Sequence, residues 1–230
     1  MGLNANKPGT GGSKQFTAQA NIEPGVYPGR LVQLIDLGLQ AQKPYQGKDK
    51  APVQEIMLTY ELVDEFMKDE SGEAIADKPR WISESLPFYG LFADKAKSTM
   101  RYNAFDPKGE FNGDFSKAIG MPINVAVVNN ASGDKIYDNI GNVSPMRPKD
   151  AEKCAPLVNG AKVFDLDTPD MEVFNKLPKW IQDKIKGNLN YAGSALEKAL
   201  GGKPSTPAPK AEDEAVDYGK HDDAGDRNPY

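Results

Sequence analysis

Apolar and polar positions alternate in long runs from residue 24 onward. In Pro24–Gln40 (PGVYPGRLVQLIDLGLQ), Tyr27, Leu31, Ile35 and Leu37 fall on one face of an extended chain. Arg30, Val32 and Leu34 fall on the other. Gly25, Gly29 and Gly38 mark bends or bulges of a strongly curved strand. A polar loop follows (Ala41–Pro52), then a second strand over Val53–Phe66 in which Ile56, Leu58, Tyr60 and Leu62 alternate. A charged turn with Gly72 leads into a third strand, Arg80–Tyr89, bent at Pro87. The pattern then turns helical over Leu91–Phe105. It returns to strand at Met121–Asn130 and, after the hairpin turn ASGD, at Lys135–Met146.

This order, β-β-β-α-β-β, is that of an oligonucleotide-binding (OB) fold, a five-stranded Greek-key barrel with a helix between strands three and four. A small five-stranded sandwich is the alternative. The predicted class is therefore mainly β: an OB core over residues 21–148, with a helical appendage over 149–202. Within the appendage, Pro178 opens a helix whose Trp180, Ile181 and Ile185 form one apolar face, and Trp180 is expected to pack on the barrel. Residues 1–20, rich in Gly, Asn, Lys and Ser, read as a disordered arm, and residues 203–230 as a flexible linker and tail. GTGGSK (Gly9–Lys14) is not a phosphate loop, because Gln15 follows the lysine and no strand precedes it.

Charge changes this picture at one end. The chain carries a formal net charge of −5. Residues 211–230 hold seven acids and two bases, so the body is neutral and the tail carries the acidity. An acidic whole-chain balance is thus no argument against a basic groove. The only histidine, His221, lies in that tail, and Cys154 is the only cysteine. A zinc site of several His and Cys ligands and an internal disulfide are both excluded. No triad histidine is available within the body. The carboxylates show no metal-binding spacing, so no catalytic group, metal or cofactor is expected. No apolar run is long enough for a membrane span and no secretory leader is evident. A cytoplasmic, non-membrane protein is expected.

An OB barrel offers a groove across strands two and three, flanked by the loops between strands one and two and between strands four and five. Binding a single strand requires cations for phosphates and flat side chains for bases. The first loop supplies Lys43, Tyr45, Lys48 and Lys50. On strand three, Trp81 shares a polar face with Ser83 and Ser85, and serves either as a base platform or as packing under the appendage. Arg80, Tyr89, Arg101, Tyr102 and Tyr137 complete the candidate set. Tyr60 reads as core, and Glu84 has no evident partner carboxylate.

A five-strand OB-like core, a basic loop with an aromatic, a Pro/Ala/Gly linker and the acidic ending DDAGDRNPY together resemble the single-stranded DNA-binding proteins of tailed bacteriophages, the T7-type class. The resemblance implies a protein that coats single-stranded DNA in replication, recombination or repair, with possible homo-oligomers. It also implies a tail (Asp222, Asp223, Asp226, Tyr230) that competes with DNA and binds replication or recombination proteins. A phage structural or scaffold protein with a β-barrel core is the alternative.

Overall fold

The computed structural model describes residues 19–202. Five antiparallel strands form a curled half-barrel: β1 (Gly25–Gln40), β2 (Val53–Lys68), β3 (Ala74–Pro87), β4 (Pro122–Ser132) and β5 (Lys135–Ser144). Their spatial order is β3-β2-β1-β4-β5. The outer strands β3 and β5 approach one another, which curls the sheet around its core. Helix α1 (Lys97–Phe105) and a 3₁₀ turn (Phe115–Ala118) lie between β3 and β4.

The inner face follows from alternation. Ile56, Leu58, Tyr60 and Leu62 of β2 and Ile82 and Leu86 of β3 all enter one core with Ile123, Val125, Val127 and Val143. Tyr102 and Phe105 of α1 and Phe115 of the 3₁₀ turn close it from below, with the Phe105 ring stacked 6.5 Å from that of Tyr60.

β1 departs from simple alternation. Register shifts between Leu31 and Gln33 and between Asp36 and Gly38 break its period. Leu31 and Leu34 therefore face the barrel core, whereas Ile35 and Leu37 face outward. A bulge inserts one extra residue, so every side chain beyond it changes face. At the second bulge Gly38 has φ +79°, and an added Cβ would meet the Asn188 side chain at 2.6 Å. Only glycine fits both constraints.

The outward residues of β1 and β2 nucleate a second core. Ile35, Leu37 and Met57 pack against Phe164, Phe174, Leu177, Ile181, Ile185 and Leu196. These come from strand β6 (Lys162–Phe164), parallel to β1, and from the short helices α3 (Met171–Lys176), α4 (Lys179–Lys186) and α5 (Ala195–Ala199); α2 (Pro148–Lys153) precedes them. The segment read as a helical appendage thus contains a strand as well as short helices. Trp180 does not join its core and is 60% exposed. The buried stripe runs Leu177, Ile181, Ile185, at helical spacing, and residue 180 lies about 100° round the helix from residue 181.

Two further differences from the sequence reading have local causes. β3 begins six residues before Arg80, because the Asp69 carboxylate accepts from the backbone N–H groups of Ser71 and Glu73 and folds a tight hairpin loop there. α1 begins at Lys97, because Gly90–Ala96 is taken up by two consecutive turns.

The start of the described chain seals the seam between β3 and β5. Asp138 of β5 accepts from Asn21 Nδ2 (2.7 Å) and the Ile22 N–H (3.1 Å), and Ile22 is buried in the barrel core. Gln19 exchanges two hydrogen bonds with the Lys68 backbone.

Candidate nucleic-acid interface

The β1–β2 loop is the most solvent-directed of the predicted elements. Tyr45 and Lys48 exchange backbone hydrogen bonds of 2.9 and 3.0 Å around Gln46 (φ +50°) and Gly47 (φ +75°). Positive φ at both central residues is the tight turn that matches strand twist, and glycine supplies one of them without cost. The turn presents Tyr45 at 59% exposure, with Lys50 Nζ 4.7 Å above its ring centre. Lys43, Lys48 and Lys50 are exposed, and none makes an ion pair among the described residues.

Trp81 stands on the outer face of β3 at 38% exposure, beside exposed Ser83 and Ser85. Its indole N–H donates to Glu61 Oε2 at 3.0 Å. Glu61 is fully buried on the outer face of β2 and also accepts from the Val158 N–H (2.6 Å), the Asn159 N–H (3.3 Å) and Asn159 Nδ2 (2.7 Å). Its cross-strand partner Arg30 donates to the carbonyls of Cys154, Ala155 and Gly120 at 2.6–2.9 Å. Arg30 and Glu61 thus fasten residues 154–159 across the outer sheet face. A buried charge such as that of Glu61 holds only when fully hydrogen-bonded.

This strap corrects the expected groove. Met57, Thr59 and Glu61, the outward residues in the middle of β2, are all buried, and Thr59 pairs hydroxyl to hydroxyl with Ser83 at 2.9 Å. The accessible surface is confined to β3, where Trp81, Ser83 and Ser85 form a strip. Along the strand, Trp81 lies about 20 Å from Pro87, which pairs with Glu55 near the root of the basic loop. One edge of the Trp81 ring thus joins the strap through Glu61, and part of the ring remains in solvent.

Three predicted contacts have structural places instead. Arg80 donates to the Ala20 carbonyl (2.7 Å) and pairs with Asp138 (3.4 Å), locking the β3–β5 seam. Arg101 is 2% exposed; its Nε and Nη2 grip the two oxygens of Glu84 at 2.8 and 3.1 Å, and Nη1 donates to Asn142. Burial works against the Arg101 charge, but the hydrogen bond and charge of Glu84 outweigh it and raise its pKa. Glu84, on the inner face, shares an oxygen with Tyr60 Oη (3.2 Å). Burial, reinforced by the Glu84 charge, keeps that phenol protonated. Tyr102 is 3% exposed, donating to Asp106 and accepting the Gly113 N–H at 2.7 Å.

Tyr89 (43% exposed) and Tyr137 (50%) stay at the surface. Leu91 and Phe92, close to Tyr89 in sequence, and Met100 of α1 are also exposed. The tail residues Asp222, Asp223, Asp226 and Tyr230 lie outside the described residues. Trp180 and Phe92 are surface aromatics that sequence reasoning missed.

A second concavity, of about 290 Å³, opens where β1, β2, the 3₁₀ turn and β6 meet. Leu34, Ile56, Phe88, Phe115 and Val163 make it largely apolar, with Asp36 at its wall. Burial raises the Asp36 pKa, against hydrogen bonds from Gly38, Leu166 and Gln54. Among the described residues, no group of three or more His, Cys, Asp or Glu side chains could hold a metal ion. No helix among them is long and apolar enough to cross a membrane.

No family model matches the chain, and no curated protein is significantly similar to it.

Proposed function

We propose that this protein binds single-stranded DNA, without catalysis, on an OB-type barrel, coating the strand during phage replication, recombination or repair. The element order with α1 between β3 and β4, the neighbour order β3-β2-β1-β4-β5 and the approach of β3 to β5 support the OB assignment. The observation that carries the functional reading is the β1–β2 loop. It holds an aromatic ring in solvent under a lysine, with two more lysines free of ion pairs beside it. Cations and an open π-face side by side fit phosphates joined to unpaired bases. A base stacks on the uncovered side of Tyr45, while Lys50 turns to a phosphate. The β3 strip continues the path with Trp81, whose indole N–H is held by Glu61 so that the ring is preset.

The test is a fluorescence titration of oligo(dT) and of duplex at several salt concentrations. Preferential binding of the single strand, weakening with salt, is the expected result. Equal or absent affinity for the single strand at low salt would remove the proposal.

The acidic tail enters the same scheme. Residues 211–230 carry the whole net charge of the protein, and a tethered polyanion competes with DNA for the lysines of the loop. Deleting residues 211–230 is expected to tighten oligo(dT) binding at low salt, with the gain vanishing at high salt. Unchanged or weaker binding by anisotropy would count against competition. When DNA occupies the lysines, the released acidic segment with Asp222, Asp223, Asp226 and Tyr230 is available to a replication or recombination partner.

A further inference from the structure

Trp180 has no role in either core, yet tryptophan is on average highly buried. Its surroundings on α4 are charged: Lys179 precedes it, and Asp183 and Lys184 lie one turn ahead on the same side. α4 has three lysines to one acid; Lys179 and Lys186 share Asp183, the latter at 3.2 Å, and Lys184 pairs with Glu55 of β2, so this group keeps an excess of one positive charge. A ring of charges is the opposite of a protein-interface centre, where charged residues are depleted. A flat apolar ring among excess cations fits a polyanion that offers stackable faces.

The position of α4 adds the second observation. Lys184 Nζ reaches Glu55 at 2.5 Å, its carbonyl accepts from Gln40 Nε2, and the Leu189 N–H donates to the Leu39 carbonyl at 2.9 Å. Gln40 ends β1 and Glu55 lies near the start of β2, so α4 is anchored at the root of the basic loop. Trp180 lies about one helical turn, ~6 Å along the axis, from Lys184. The loop itself has three lysines to one acid.

Resting on the single-strand reading above, the geometry points to a track that runs from Tyr45 over the root of the β1–β2 loop to α4, with Trp180 stacking on a base and Lys179 and Lys186, which share one acid, facing its phosphates. The track therefore leaves the barrel and continues onto the C-terminal segment.

Because Trp81 and Trp180 are the only tryptophans, the two ends separate optically. In full-length Trp81→Phe, emission comes from Trp180 alone and is expected to be quenched by oligo(dT). In Trp180→Ala, affinity for labelled oligo(dT) is expected to fall roughly 5- to 150-fold. Trp180→Phe should retain most of it, and both variants should melt with the wild type because residue 180 is outside the cores. If wild type binds oligo(dT) while Trp180 emission is unmoved and Trp180→Ala binds within twofold, the track is wrong and the function stands. If wild type does not bind, both fall. If Trp180 emission changes with protein concentration but not with oligo(dT), α4 is a protein contact and the track is likewise overturned.

Discussion

Replacing Arg101 by Met is expected to cost about 3–5 kcal/mol of stability, because it leaves the Glu84 carboxylate inside the barrel without its cation. For a folded region of this size that corresponds to a melting temperature lower by roughly 6–20 °C. Glu84 holds together Arg101 of α1 and Tyr60 of β2, and Arg101 reaches on to Asn142 of β5. Loss of the guanidinium therefore loosens α1 from the sheet on two sides. Replacing both partners, as in Arg101→Met with Glu84→Gln, should recover most of the loss, since the penalty comes from one unpaired buried charge. The same experiment separates structure from binding. A phosphate-holding Arg101 would lose DNA affinity at unchanged melting temperature, and that outcome would contradict the buried placement.

The second large effect is expected at the surface. Converting Lys43, Lys48 and Lys50 together to Gln leaves the hairpin turn and both cores intact. If each lysine neutralises one phosphate, the log–log salt slope should become shallower by about 2. Affinity at about 0.1 M salt should fall by about two orders of magnitude. Exposed lysines without ion pairs contribute little to folding, so the melting temperature should stay within a degree or two of the wild type. A salt slope that does not move would take the loop out of the interface.

Much of the sheet was legible because its inner face is one-sided. Ile56, Leu58, Tyr60 and Leu62 alternate in sequence and line the barrel in space. β1 was legible as a strand but not in its facing. Its bulges follow from backbone register, and a strand apolar on both sides carries no period to read. The three-residue β6 is too short to show a period at all.

The candidate site was half legible, for one physical reason. Lysines with free ammonium groups stay in water, and Lys43, Lys48 and Lys50 are at the surface as expected. Arginine also serves as a clasp at buried and half-buried positions, because its planar fork satisfies several acceptors at once. Arg30, Arg80 and Arg101 all do this, holding the strap, the seam and α1 respectively. Their partners are 17 to 125 positions away in sequence, so no local pattern announces them. Trp180 was misplaced because an eight-residue helix leaves the width of its apolar stripe undetermined until Leu177 is seen to extend it.

The seam closed by Asp138 sets an order on folding. Asn21 and Ile22 are among the first of the described residues to leave the ribosome, yet their carboxylate partner lies 116 to 117 positions later. Contacts of such long span form late, since the loop they close must be ordered first. Until β5 has been synthesised, the edge of β3 stands open and its Arg80 lacks the Asp138 partner across the seam. The interval between making β3 and making β5 is therefore when this protein is most exposed to edge-to-edge aggregation.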